Sequence, residues 1–433
     1  MKAVGALFSS IATHANVVSA VWRAARGKRV RGAVQAFLHR LEPNVNDLVR
    51  ELASGEFQFG GYESFAVRDT KSRMIHAPGF RDRVVHHAMM AVLGPVIERG
   101  SIAHSYACRH GKGQHLAVQQ VRQWARRTGA FLKADVSKYY DSIPHDQLRG
   151  ALARRFRERR VLDLFDRLLD SYQHRPGYGL PIGALTSQYL GNYYLEPVDH
   201  WVQERKAVRR YARYMDDMLL MGEMSELCGL RDEFAGRLAV LGLRISNGGV
   251  LNYDALGIPW LGFTVYPDRI RLNAAGRRRL RRRVREVERS SESEDWCQAR
   301  VTALFAHATL ADDVGWRREV CRFSRFGDTL EADPCDAGRF LEQHCGEVPR
   351  GDPQQEASAR AEQEPGLSGP AVASRNDGMD LLPDDACSCA PSPSSGEGDK
   401  TKGKSPPSAD SAALTGGTKV AGGAPDSYVP PSS

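Results

Sequence analysis

Tyr211-Ala212-Arg213-Tyr214-Met215-Asp216-Asp217-Met218-Leu219-Leu220-Met221 sets two adjacent carboxylates at the crest of a largely apolar stretch. Like charges side by side repel, and each must stay solvated or paired, so the placement is costly for a purely structural purpose. The flanking residues read as two short strands, with the aspartates in a tight turn between them. Two readings stay open on this stretch alone. It is either an Asp-Asp turn in a structural hairpin, since turn chemistry favours Asp, or an oxygen site for a hard cation. Mg²⁺ takes carboxylate oxygens and leaves positions for substrate phosphates.

A second acidic element favours the cation site. Phe131-Leu132-Lys133-Ala134-Asp135-Val136 reads as a strand ending in a carboxylate, followed by Ser137-Lys138-Tyr139-Tyr140-Asp141-Ser142-Ile143-Pro144. Two-metal nucleotidyl transfer needs a carboxylate from a separate strand to bridge both ions, which clamp the attacking and leaving oxygens. Asp135, Asp216 and Asp217 supply that set as catalytic and metal-binding residues. Asp141 is expected to cap the helix beginning near Pro144.

Four segments then resemble the motifs of reverse transcriptases, in the family's order and over roughly residues 20 to 330. Asp135-x-x-x-Tyr139-Tyr140-Asp141 is similar to the first polymerase motif. Gly179-Leu180-Pro181-Ile182-Gly183-Ala184-Leu185-Thr186-Ser187-Gln188, with Asn192-Tyr193-Tyr194-Leu195, is similar to the palm-helix motif. Tyr214-Met215-Asp216-Asp217 resembles the metal-binding hairpin, and Gly257-Ile258-Pro259-Trp260-Leu261-Gly262-Phe263 the primer grip. The variant Ile182-Gly183…Ser187-Gln188 replaces the usual Gln-Gly…Ser-Pro. Together with Ser105-Tyr106-Ala107-Cys108-Arg109-His110-Gly111-Lys112-Gly113 and Phe80-Arg81-Asp82-Arg83-Val84-Val85-His86-His87, it resembles the enzymes of diversity-generating retroelements. Phage-defence reverse transcriptases, retron-like ones among them, share parts of this pattern.

The resemblance implies an α+β right-hand polymerase. Residues 1–125 would form N-terminal helices and fingers, 126–265 a palm with an antiparallel sheet, and 266–349 a basic helical thumb. It implies RNA-directed DNA synthesis from a primer 3′-hydroxyl, two Mg²⁺ ions with Mn²⁺ as a substitute, and template RNA, primer, nascent cDNA and dNTPs as partners. A small basic accessory protein would join them in a diversity-generating system. Lys71 and Arg73, on a hairpin of Tyr62–Val67 and Ser72–His76, would reach the triphosphate. Tyr140 would block a ribose 2′-hydroxyl, and Gly183, Ser187 and Gln188 would line the nascent pair. Ile182 replaces an amide that normally hydrogen-bonds there, which implies loose checking of the pair. Arg109, Trp260, Leu261, Gly262, Arg278 and Arg282 would contact nucleic acid. Many relatives carry a lysine near Leu243–Val250 that is proposed to protonate pyrophosphate; this chain has none, and Arg244 is a poor acid. A catalytically idle RNA-binding scaffold is the rival from another class, and the intact aspartates argue against it.

Composition agrees with such a body. The chain has 433 residues and 42% hydrophobic content, enough for a sizeable core, and lacks any run of roughly 18 apolar residues that would cross a membrane. Residues 351–433 hold 6 Lys/Arg and 12 Asp/Glu, leaving 54 against 40 in residues 1–350, a balance suited to a polyanionic partner. After about Pro349 the sequence turns to Gly, Pro, Ser, Ala and Asp, an acidic composition that reads as a disordered tail over 350–433. Eight cysteines without a C-x-x-C pair suit reduced cytoplasmic thiols. Leu280, Val284 and Val287 form one stripe in the arginine-dense run Gly276–Val287, so a helix with a basic outer surface is expected there.

Overall fold

The computed structural model describes residues 7–68 and 72–322. Lys71 and the 350–433 segment lie outside the described residues, as do residues 323–349 of the expected thumb. No helix among the described residues is long and apolar enough to cross a membrane.

Of the first four helices, α1 (Phe8–Ile11), α2 (His14–Ala25) and α3 (Gly32–His39) pack on the long α5 (Phe80–Glu98), and α4 (Leu41–Ser54) packs on α2 and α3. Between them stands the antiparallel hairpin of β1 (Tyr62–Arg68) and β2 (Ser72–Pro78), at the expected place. Helix α6 (Gln114–Ala125) leads into β3 (Ala130–Asp135), followed by α7 (Tyr139–Ser142), α8 (His145–Arg155) and α9 (Arg159–Asp170). Then come α10 (Leu185–Tyr194), α11 (Glu196–Gln203), β4 (Arg210–Tyr214), β5 (Asp217–Gly222), α12 (Met224–Val240) and β6 (Val250–Tyr253).

A four-stranded antiparallel sheet in the order β4-β5-β3-β6 organises the middle of the molecule. Its central strand β3 is apolar on both faces, with Phe131, Leu132 and Ala134 at most 1% exposed, and β5 is buried throughout. Burial on both sides explains why neither strand alternates in hydropathy. Helix α12 packs across β3, β5 and β6.

Beyond the sheet, β7 (Ile258–Trp260), β8 (Phe263–Val265) and β9 (Ile270–Leu272) form a small antiparallel sheet, followed by α13 (Ala274–Glu288), α14 (Glu294–Ala308) and α15 (Val314–Arg322). Asn273 caps α13 by accepting the Gly276 N–H at 2.6 Å. Leu280, Val284 and Val287 are buried as their spacing requires, and Arg278 and Arg282 stand exposed.

Two expectations need correction. Asp141 caps nothing: it lies inside α7 and faces His174 Nδ1 at 3.5 Å, while α8 starts at Pro144 with no side-chain cap. The locally extended Ile143-Pro144 breaks the chain between Asp141 and α8, so the carboxylate cannot reach the helix's first N–H groups. Among the thiols, Cys228 and Cys297 are free, but Cys108 is disulfide-bonded, against the expectation of reduced cysteines throughout.

Candidate active site

The register of the central sheet assembles the aspartates. Asp135, the last residue of β3, stands directly opposite Asp217, the first residue of β5. Directly opposed residues point to the same face, so two carboxylates separated by 81 intervening residues become neighbours. Tyr214 also pairs with Asp217, which leaves Met215-Asp216 as a two-residue turn and brings the third carboxylate to the same end.

That turn is strained and strongly braced. Met215 has φ +56°, a left-handed conformation that costs a residue with a side chain roughly 1–2 kcal/mol. Arg213, fully buried, donates from Nη1 to the Met215 carbonyl at 3.0 Å. The same guanidinium makes a double contact with the buried Asp199, at 2.7 to 2.9 Å, and donates to the side-chain and main-chain oxygens of Asn192.

Asp216 is 5% exposed and Asp217 fully buried, while Asp135 is half-buried. Burial pushes the Asp216 carboxyl well above the usual carboxylate range, Asp217 and Asp135 add repulsion, and the Arg73 charge opposes the shift. Asp216 Oδ1 is buried without a hydrogen-bond partner. Lys133 Nζ lies 3.6 Å from Asp217 Oδ1 and is itself buried, a cation beneath the acidic cluster. Among the described residues, no three His, Cys, Asp or Glu side chains are already drawn together to enclose an ion. An all-oxygen set, one buried oxygen of which lacks a donor, nevertheless fits Mg²⁺, which binds through one or two carboxylates and completes its shell with water and phosphate.

The surrounding residues pack close to these carboxylates. Tyr139 is buried and donates to the Gly191 carbonyl at 2.5 Å; the half-buried Tyr140 packs against it with ring centroids 5.5 Å apart. A Cβ at Gly191 would lie 3.4 Å from Met215 Sδ and from both tyrosine rings, so α10 sits flush on the turn. The Ile182 carbonyl accepts the His76 N–H at 2.7 Å, joining the β1–β2 hairpin to the segment before α10. Gly183 follows with φ +114°, and a Cβ there would come 2.7 Å from Ile75 Cγ2. Ser187 is buried, with an Oγ that has no hydrogen-bond partner, and Gln188 is half-buried on the same helix. Arg73 sits two residues before Ile75 on β2, close enough for its charge to act on Asp216.

The nucleic-acid candidates divide. Arg278 and Arg282 join Arg281, Arg285 and Arg289 along one exposed surface of α13. Leu261 and Gly262, at φ +49° and +83°, form the two-residue β7–β8 turn that hairpins prefer. Trp260 and Leu261, however, are core: at 0% and 2% exposure their side chains cannot be the parts that touch a nucleic acid, because they fill the space under the small sheet. Arg109 donates to the Ile102 and Ser105 carbonyls at 2.7 and 3.0 Å and fastens its own loop. Sequence reasoning missed Arg213, Asn192 and Asp199. The one signal that could have found them is a lone Asp in the apolar pattern of Val198-Asp199-His200-Trp201-Val202, which needs a buried cation.

Comparisons with known proteins place a family match over the same part of the chain. Residues 67–265 match the family described as reverse transcriptase (RNA-dependent DNA polymerase). The chain is 27% identical over 169 residues to the putative COX1/OXI3 intron 1 protein of Saccharomyces cerevisiae, covering 37% of this chain and 20% of that protein. It is 26% identical over 267 residues to Escherichia coli protein YkfC, covering 51% and 68%. It is 24% identical over 142 residues to the group II intron-encoded protein LtrA of Lactococcus lactis, covering 31% and 24%. The chain thus spans about a fifth to a quarter of the two intron proteins and about two thirds of YkfC. Three aspartates thus stand at one end of an antiparallel sheet inside residues 67–265, the span that is similar to the reverse transcriptase family.

Proposed function

We propose that the protein is an RNA-directed DNA polymerase that adds dNTPs to a primer 3′-hydroxyl on an RNA template, with β1–β2 as fingers, the four-stranded sheet as palm and α13–α15 as part of the thumb. The observation that carries this reading is the cross-strand register of Asp135 and Asp217 beside the Asp216 turn, with a buried Asp216 oxygen lacking a donor. Asp135, Asp216 and Asp217 would hold two Mg²⁺ ions. When bound, the ions supply the positive charge that activates the primer hydroxyl and offsets charge on the departing pyrophosphate. Arg73 would bind the triphosphate, Arg being suited to paired phosphate contacts. The Tyr140 ring would exclude a 2′-hydroxyl, and Gly183 would let the backbone approach the nascent pair. The exposed α13 arginines would hold the template–primer duplex.

Within that class, error-prone copying in a diversity-generating retroelement is the reading favoured by Ile182, an aliphatic side chain where an amide would check pairing. The intron-encoded relatives favour a second reading, a reverse transcriptase that works with a structured intron RNA. Primer extension on a defined RNA tests the class. Asp216→Ala or Asp217→Ala should abolish extension and leave RNA binding intact, because a metal ligand is lost and the basic surface is untouched. Loss of RNA binding in parallel, or robust wild-type synthesis in excess chelator, would overturn the reading.

A further inference from the structure

The guanidinium of Arg213 is saturated. Arginine has five N–H donors, and all five find acceptors here: Nε and one Nη2 hydrogen on Asp199, the other Nη2 hydrogen on the Asn192 carbonyl, and the Nη1 pair on Asn192 Oδ1 and the Met215 carbonyl. Arg213 and Asp199 are both fully buried, and Tyr211 donates its hydroxyl to Asp199 Oδ1 at 2.8 Å. The charge is therefore balanced by a carboxylate fixed at two oxygens, and the pair forms one rigid unit.

What this unit touches is more telling than the pair itself. Met215, whose carbonyl it holds, is the positive-φ residue that sets Asp216 and Asp217. A conformation of this kind persists only when its surroundings over-determine it. Asn192 belongs to α10, the helix that carries Ser187 and Gln188, and follows Gly191, which lies flush on Met215, Tyr139 and Tyr140. Asn192 also donates to the Ala107 carbonyl at 2.9 Å. One side chain thus links the catalytic turn to the helix that lines the nucleotide site.

We propose that Arg213, acting through Asn192 and Met215, is a positioning residue that fixes the separation between the Asp216–Asp217 turn and α10, and so the distance between bound metal and bound nucleotide. The inference rests on the polymerase reading above. Lysine would keep the charge but has three donors from one point and cannot reproduce the planar five-bond pattern.

The test uses the full chain in single-nucleotide extension on a defined RNA template with a DNA primer, below the thermal midpoint of each variant. Asn192→Ala removes one acceptor of Arg213 and the Asn192 bond to the Ala107 carbonyl, and leaves the ion pair; we expect kcat to fall about tenfold with KM for dNTP nearly unchanged, and Arg213→Lys to lower kcat about 100-fold, as small misplacements of reacting groups do. Glu196→Gln is the control. Its buried 2.6 Å bond to Arg155 lies outside the turn, so it should lower the thermal midpoint with kcat unchanged. Asn192→Ala and Arg213→Lys proteins with wild-type kcat would overturn the inference. So would a fall in kcat that Glu196→Gln reproduces at an equal loss of stability. If Arg213→Lys does not fold, Asn192→Ala decides alone. Wild-type protein that extends no primer would instead defeat the polymerase reading, and this inference with it.

Discussion

Gly183→Ala perturbs a close contact between the β1–β2 hairpin and the segment before α10. The added methyl would sit 2.7 Å from Ile75 Cγ2 and 3.4 Å from the His76 carbonyl oxygen, on a backbone with φ +114°. Forcing a side chain onto such backbone costs about 1–3 kcal/mol, and overpacking of this kind about 1–3 kcal/mol more. Carbon atoms rest about 3.5–4.0 Å apart, so relief needs Ile75 to move by about 1 Å. Phe65 and Met74 of the hairpin are exposed, so the hairpin has room to yield while the buried core behind α10 does not. That movement would stretch the 2.7 Å bond from His76 N–H to the Ile182 carbonyl and carry Arg73 away from Asp216. We therefore expect a kcat/KM for dNTP lower by about 100-fold, the cost of a misplacement near 1 Å, with only a small drop in thermal midpoint. Single-nucleotide extension and a thermal melt on the same preparation measure both. Ile75→Ala removes the clashing Cγ2, so the double variant should recover about tenfold, the coupling expected of residues in contact. A Gly183→Ala enzyme with wild-type kcat/KM would refute the reasoning, since Ile75 would then not be held against residue 183.

Burial pushes the His86 imidazole down to about 3, so the folded protein refuses a proton that the unfolded chain accepts below its ordinary value of 6.5. Stability should be complete above that value and fall as pH drops from about 6.5 towards 3, by about 1.4 kcal/mol per pH unit for this group. His86→Gln should flatten that slope in denaturant melts, and an unchanged slope would assign the effect elsewhere. Arg278→Ala with Arg282→Ala should lower affinity for an RNA–DNA duplex and reduce the slope of log K against log salt by roughly 2, leaving the thermal midpoint alone; an unchanged slope would remove α13 from the interface. Ile182→Gln should lower misincorporation several-fold, each factor of ten being worth about 1.4 kcal/mol of discrimination. Deep sequencing of products decides it, and a wild-type error spectrum that is low and without bias at template adenine would count against mutagenic copying.

Much of the central sheet was legible because its signals are local. Tyr214–Asp217 announces a turn by its own polarity, the strand ending at Asp135 by its apolar run, and α13 by the Leu280-Val284-Val287 stripe. The structure adds what depends on distant partners. Arg213 looks in the sequence like Arg209 and Arg210, and only Asp199 and Asn192, brought in from two other helices, make it a buried hub. Trp260 read as a contact residue because the segment around it resembles a primer grip, yet the hairpin turns its ring inward. Asp141 failed as a cap because capping depends on the backbone angles of the next residues, which composition does not specify.

The position of β3 in the sheet also sets a schedule. Both of its neighbours, β5 and β6, come later in the chain, so during synthesis this strand has no partner on either side until Gly222 has been made, and one edge stays bare until Tyr253. At ribosomal rates of about 5–20 residues per second, that wait is on the order of ten seconds. A bare strand reading Ala130-Phe131-Leu132-Lys133-Ala134-Asp135 invites pairing with other nascent chains. Lys133 and Asp135 interrupt it with charge at alternate positions, the device that discourages such aggregation. The carboxylate assigned to metal binding thus guards the chain before there is a site for it to serve.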